Sequence, residues 1–169
     1  MLEYSVLQVG LWTERPAAGS APTWVRHIAG AAGQPLGFVR FDGAVRSPFF
    51  SWLRSVRLEV YETDDASHLM SLVRAWGVLR IWDVYDAEER RVGSIYPPNL
   101  VDSEGQRRGF LEHHGPDRGK ALDPANHVLA TFQRRLDSLD LAFMPEPAPN
   151  PFLRMLILGA VLCLDPAPK

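Results

Sequence analysis

The run from Asn150 to Asp165, NPFLRMLILGAVLCLD, is a helix that leaves itself no wet side. Asn150 suits the cap, because its side-chain oxygen accepts from the free N–H groups of a first turn. Pro151 follows at the first helical position, where a missing N–H costs nothing, and Pro166 stops the helix at its far end. Arg154 is the one charge inside it, and the face that carries Arg154 continues with Leu158 and Val161. A helix apolar all round must be buried all round. Burying its large side chains is worth on the order of 10–20 kcal/mol, an upper figure because unfolded chains already bury some surface. A membrane span needs roughly 20 apolar residues, and this run is shorter, so the chain is not expected to be transmembrane. What surrounds the helix must come from the rest of the sequence.

That remainder reads as strands. Leu2 to Leu11, Trp24 to Ile28, Leu36 to Phe41, Val56 to Glu62, His68 to Ala75, Leu79 to Tyr85, Val92 to Tyr96, Gly109 to His113 and Leu139 to Met144 all suit strands. VRLEVYE alternates cleanly, with Val56, Leu58 and Val60 on one face. His127 to Arg134 fits a strand or a short helix. Thr13 to Thr23, Asp42 to Pro48 and His114 to Pro124 read as loops on their Pro, Gly and polar content. No helices remain for a bundle. A helix is about 10–12 Å across, and a barrel of about eight strands is filled by its own side chains. The expected fold is therefore a larger closed, mainly antiparallel barrel around a buried C-terminal helix.

A layout repeats three times. Gly30-Ala-Ala-Gly-Gln-Pro-Leu-Gly37, Asp86-Ala-Glu-Glu-Arg-Arg-Val-Gly93 and Asp102-Ser-Glu-Gly-Gln-Arg-Arg-Gly109 each place a polar turn before a glycine and then an apolar residue. A glycine at a fixed place after a turn suits a bulge or a close backbone approach. With 169 residues, one domain spanning 1–169 is expected. The formal net charge of -2 speaks against a nucleic-acid binder. The single cysteine, Cys163, forms no internal disulfide and reads as packing. MLEYSVLQVGLW has no basic start before a long apolar run, so no signal peptide is expected and a cytoplasmic place, peripheral to a membrane, fits.

The strand Leu58-Glu-Val-Tyr-Glu62, then Leu69 to Trp76, Arg80-Ile-Trp-Asp-Val-Tyr-Asp86 with Val92-Gly-Ser-Ile95, and finally Leu153 to Asp165 stand in an order that resembles the tubby C-terminal superfamily. Within it, the chain is most similar to the phospholipid scramblase and LURP-one-related branch, over about Trp24 to Asp165. The resemblance implies a barrel of about twelve strands around the C-terminal helix, and a non-enzymatic module that binds anionic phospholipid head groups. No acidic loop matches the scramblase calcium motif and no proline- or cysteine-rich extension is present, so scrambling activity does not carry over. A protein-interaction scaffold is the second reading, and a small enzyme with a site in the His114 to Pro124 loop is the third.

Arginine carries the candidate site, because its planar fork donates two hydrogen bonds at once to phosphate. The doublets Arg90–Arg91 and Arg107–Arg108 fall at equivalent places in neighbouring repeats and are expected on one rim. Arg134–Arg135 is a third doublet, and Arg118 and Lys120 add charge nearby. Together Arg90, Arg91, Arg107, Arg108, Arg118 and Lys120 are the expected head-group ligands, opposed by Glu88, Glu89, Glu104 and Glu112. Phe49, Phe50 and Trp52 are the expected membrane-touching tip, since aromatics favour the bilayer interface. No metal or cofactor is expected. Adjacent His113 and His114 point to opposite faces of a strand. Ser51, Ser55 and Ser71 lack a recognisable histidine motif.

Overall fold

In a computed structural model of the chain, residues 1–15, 23–42, 56–63, 66–74, 81–115, 117–146 and 149–164 are described. The helix α1 runs Pro151–Leu164, with Met155 to Leu162 buried. Asn150 caps it as expected. Its Oδ1 accepts from the Leu153 N–H at 2.8 Å, and its carbonyl accepts from the Arg154 N–H at 2.9 Å. The first turn departs from the all-round burial read from the sequence, since Phe152 stands exposed. Arg154 explains itself at the same place. Its guanidinium donates from Nη1 to the Leu2 carbonyl and from Nε to the Pro149 carbonyl at 3.2 Å, and it lies 5.0 Å over the Phe143 ring. The lone charge therefore ties the start of the helix to the first residues of the chain.

Thirteen strands surround the helix: β1 Val6–Gly10, β2 Thr13–Arg15, β3 Thr23–Gly30, β4 Pro35–Asp42, β5 Val56–Glu62, β6 His68–Arg74, β7 Trp82–Asp86, β8 Arg91–Tyr96, β9 Asn99–Asp102, β10 Arg107–His113, β11 Arg118–Leu122, β12 Val128–Arg134 and β13 Ser138–Phe143. From β3 to β13 every strand pairs antiparallel with the next in sequence. β1 closes the circle by pairing with both β13 and β3. The result is a closed antiparallel barrel of twelve strands, with β2 as one extra strand that continues β1 along β3. Closure pairs both sides of each barrel strand, and among the described residues only β2 keeps an open side.

Three elements depart from the sequence reading. β11 occupies the middle of the supposed His114 to Pro124 loop. β2 occupies the start of the supposed Thr13 to Thr23 loop, and β9 lies in a stretch read as neither. All three are short, with charged or small residues on their outer faces, so alternation is weak over them. The ambiguous His127 to Arg134 is a strand, and Leu129, Ala130 and Phe132 are buried in it. Leu79 to Tyr85 is described from Ile81 on, and there Val84 is fully buried. The proposed tip Phe49, Phe50 and Trp52 lies outside the described residues.

The repeated glycines do what their spacing suggests. A Cβ on Gly37 would overlap the Tyr61 carbonyl oxygen, and one on Gly93 would overlap that of Val101, both backbone atoms of a neighbouring strand. On Gly109 it would come within 2.7 Å of the Leu122 carbonyl. The register slips next to Gly93 and Gly109, where a bulge lets two strands close up. Across Gly93 the Leu156 side chain of α1 comes near, so this approach also seats the helix.

Two outcomes follow. Gly93→Ala should lower stability by about 1–3 kcal/mol, the cost of overpacking, read as a shift in urea midpoint. Leu158→Asp, at a fully buried position, should yield no cooperative unfolding transition, because it buries an unpaired charge; a stable, cooperatively melting Asp variant would overturn the central-helix account.

Candidate functional site

The hairpin turns at the mouth where α1 begins are built alike. Asp86, Asp102 and Asp123 each donate their backbone N–H to the carbonyl four residues on, of Arg90, Gln106 and His127 respectively. The fourth residue of each turn has positive φ: Glu89 at 60°, Gly105 at 83° and Asn126 at 68°. The aspartate side chain completes the turn. Asp86 Oδ1 accepts from the N–H groups of Glu88 (3.0 Å) and Arg90 (2.8 Å), Asp102 Oδ1 from Glu104 (3.0 Å) and Gln106 (2.8 Å), and Asp123 Oδ1 from Ala125 and His127, both 2.8 Å. The sequence repeat found the first two. The third unit, Asp123-Pro-Ala-Asn-His127, replaces the Gly30 turn, which shares the backbone bonds but has no aspartate.

These turns engage the arginines set beside them. Arg90 Nε meets Asp86 Oδ2 at 2.8 Å and its Nη2 meets Glu88 at 2.7 Å. Arg108 Nε meets Asp102 Oδ2 at 2.6 Å. Arg91 reaches Asp83 at 3.2 Å and donates to Ser94 Oγ at 2.6 Å. Arg90, Arg91 and Arg108 do converge, as expected of one rim, on a groove of about 590 Å³ that Phe152 and Leu153 also line. In that groove Asp86, Asp102 and Glu104 match the three arginines. Arg107 turns away and stacks at 5.6 Å over Phe110.

The same bonds set the acid response. Burial pushes the Asp86 carboxyl up, but the Arg90 N–H and guanidinium outweigh it and hold it below the usual aspartate range. The Gln106 N–H, with Arg108, holds Asp102 low, and the His127 side chain holds Asp123 low.

Arg118 and Lys120 sit elsewhere. They occupy outward positions of β11 on either side of Gly119, which is buried. Register carries this outer face across the wall: Arg118 pairs with Gln133 and Lys120 with Thr131, then Gln133 with Asp140 and Thr131 with Ala142, and Ala142 with Val6. These residues and His114 line a shallow groove of about 560 Å³. Arg118 donates from Nε to the His114 carbonyl at 3.3 Å. Glu112, cross-strand from Lys120, turns to His114 instead, at 3.7 Å. Among the described residues neither Arg118 nor Lys120 has a carboxylate partner. The groove's one acid, Asp140, accepts at Oδ2 from Arg135 Nε at 2.5 Å, while its buried Oδ1 has no partner. The sequence singled out both cations but not the strand that aims them together; the alternation Arg-Gly-Lys was the available signal.

Among the described residues, other titratable groups are engaged in structural bonds. Ser71 Oγ lies 3.0 Å from His68 Nε2, a pair the sequence did not suggest, but Ser71 is 0% exposed and accepts from Arg57 at 2.9 Å. Arg57 in turn pairs with Glu59 and Glu89, and Glu59 with Arg40, a chain of bonds on the outer wall. Burial pushes the Cys163 thiol up, away from the reactive thiolate. No group of three metal-ligating side chains occurs among the described residues, and no helix there is long and apolar enough to cross a membrane.

An acid titration checks the turns. Their three depressed carboxyls contribute stability that is complete above the ordinary aspartate value of about 3.9 and is lost as pH falls below it through the lower folded values. Melting temperature should fall through that window, and Asp86→Asn with Asp102→Asn should flatten the fall.

No protein-family model matches the chain, and no curated protein matches it in sequence. One solved structure that it resembles is the X-ray structure of an Arabidopsis thaliana protein, AT5G01750, with a TM-score of 0.57 and 10% identity, over 96% of this chain and 93% of that one. At that identity the likeness shows the fold alone, a closed barrel around a C-terminal helix.

Proposed function

We propose that the protein is a non-enzymatic module for a membrane surface, and that the groove on the outer wall of β11, β12, β13 and β1 takes an anionic phospholipid head group. The observation that carries this reading is the pair Arg118 and Lys120, two cations on one face of one strand with no carboxylate between them. A phosphate set against them accepts charge-assisted bonds from both. Arg90, Arg91 and Arg108, expected as ligands from the sequence, are already spent on Asp83, Asp86, Glu88 and Asp102, so they serve the rim in this reading. Arg107 is a lesser contributor because it stands on another strand. The barrel-like fold neighbour is consistent with such a module.

Co-sedimentation with phosphatidylcholine vesicles is the test. Vesicles that also carry phosphatidylinositol phosphate should bind, those with phosphatidic acid less well, and phosphatidylcholine alone not at all. Binding should fade as salt shortens the screening length below about 10 Å. Arg118→Ala/Lys120→Ala should weaken it roughly tenfold or more, from about 1 kcal/mol per cation near the surface. Arg90→Ala/Arg91→Ala should leave it close to wild type. Absence of binding to every anionic vesicle, or a double variant that binds like wild type, would overturn the proposal.

A further inference from the structure

We infer that, at the end opposite the helix mouth, the corner formed by the β12–β13 turn and the end of β1 meets the bilayer, with Leu136 and Leu11 entering the interfacial layer beside the head-group groove. This inference rests on the head-group reading and adds an orientation and an apolar anchor to it.

Leu136 lies in the tight turn between β12 and β13, closed by the Arg135 N–H donating to the Ser138 carbonyl at 2.7 Å. It is fully exposed, at 101%. Gly10 and Ser138 form the last pair between β1 and β13. Leu11, the next residue, therefore leaves the sheet beside that turn, and it is 55% exposed. The edge resumes on β3 only at Thr13. One exposed leucine is ordinary. Two at neighbouring strand ends, on one rim, form a local apolar tip. Tyr96, at the end of β8, adds an exposed aromatic to the same rim, and tyrosine favours the bilayer interface.

The tip is joined to the groove. Arg135 precedes Leu136 and holds the groove's Asp140. Arg134, one residue earlier, donates its N–H to the Asp117 carbonyl at 2.6 Å, which fastens this turn to the one that delivers His114 and Arg118. Arg134 and Arg135 thus precede Leu136 and Asp137 follows it, while Arg118 and Lys120 stand in the adjoining groove. Basic residues beside apolar ones suit an anionic interface, where the leucines are buried and the cations stay with the head groups.

The helix mouth is the competing face. It exposes Phe152 and Tyr4 beside the groove of Arg90, Arg91 and Arg108. There each arginine is already bonded to a carboxylate, whereas Arg118 and Lys120 in the wall groove have no carboxylate partner among the described residues, Glu112 opposite Lys120 being turned to His114. Those two available cations, beside the exposed leucines, favour the far end for an anionic surface.

The test compares wild type, Leu11→Ser/Leu136→Ser and Phe152→Ser on two probes: soluble inositol trisphosphate, and phosphatidylcholine vesicles carrying phosphatidylinositol phosphate. The positions are exposed, so an unchanged melting temperature confirms each variant's fold. Leu11→Ser/Leu136→Ser should bind vesicles about tenfold or more weakly, yet take inositol trisphosphate as wild type does, while Phe152→Ser changes neither. In a separate variant, Leu136→Trp, the fluorescence should shift blue on vesicles and be quenched by brominated acyl chains. Vesicle binding unchanged in the double leucine variant, or an unquenched Trp, overturns the orientation while the head-group site stands. Loss in Phe152→Ser instead turns the molecule over and equally refutes it. Wild type that binds neither probe ends the head-group reading and this inference with it.

Discussion

A helix with no polar side has to be enclosed, and the rest of the molecule follows from that enclosure. Water must be kept from Met155 to Leu162 on every side. A sheet large enough to pass round a helix, once closed, does this without leaving an open edge. The helix then replaces the side-chain layers that would fill a smaller barrel. Its only internal charge is handled at the mouth, where the chain's own carbonyls and an aromatic face receive Arg154. Glycines at the register slips let neighbouring strands and the helix come close. Each of these devices serves burial of the same segment.

The turns at the helix mouth show how little a formal charge says about an available one. Asp86, Asp102 and Asp123 use one carboxylate oxygen to finish the backbone turn and the other to hold a basic side chain four or six residues on. Arginines set beside such turns are structural counter-ions before they can be ligands. A surface ion pair contributes about 0–1 kcal/mol, yet it still consumes the field that an anion would feel. The wall of β11 differs because its cations alternate with a buried glycine, and the nearest acid, Glu112, is turned toward His114.

The two ends of the barrel are consequently unlike. One carries the helix entrance, the aspartate turns and a charge-balanced groove. The other carries the β12–β13 turn, the exposed Leu11 and Leu136, and the approach to a groove whose two cations have no carboxylate partner among the described residues. The closed barrel leaves only the short β2 with an open side among the described residues, so partners are met chiefly on walls and rims. That restriction points attention to outward-facing residues, the positions where alternation is least informative about packing and most informative about function.

Asn150, Pro151 and the apolar run determine a capped, enclosed helix, and the absence of other helical periods leaves only strands to enclose it. Those are local statements about caps, period and solvation, so they are readable without coordinates. The repeat spacing likewise revealed the close approach of Gly37, Gly93 and Gly109. It could not reveal which cations remain available, because Arg90 and Arg118 look alike until a turn brings Asp86 to one and no acid to the other. β11 was hidden for the same reason: RGKAL has too few inward apolar residues to show a period, and its pairing with β10 and β12 makes it a strand. The tip at Leu11 and Leu136 joins residues far apart in the chain through the Gly10–Ser138 pair. Burial is written in local pattern, whereas neutralisation and adjacency depend on which distant strand lies next door, and only the tertiary structure decides that.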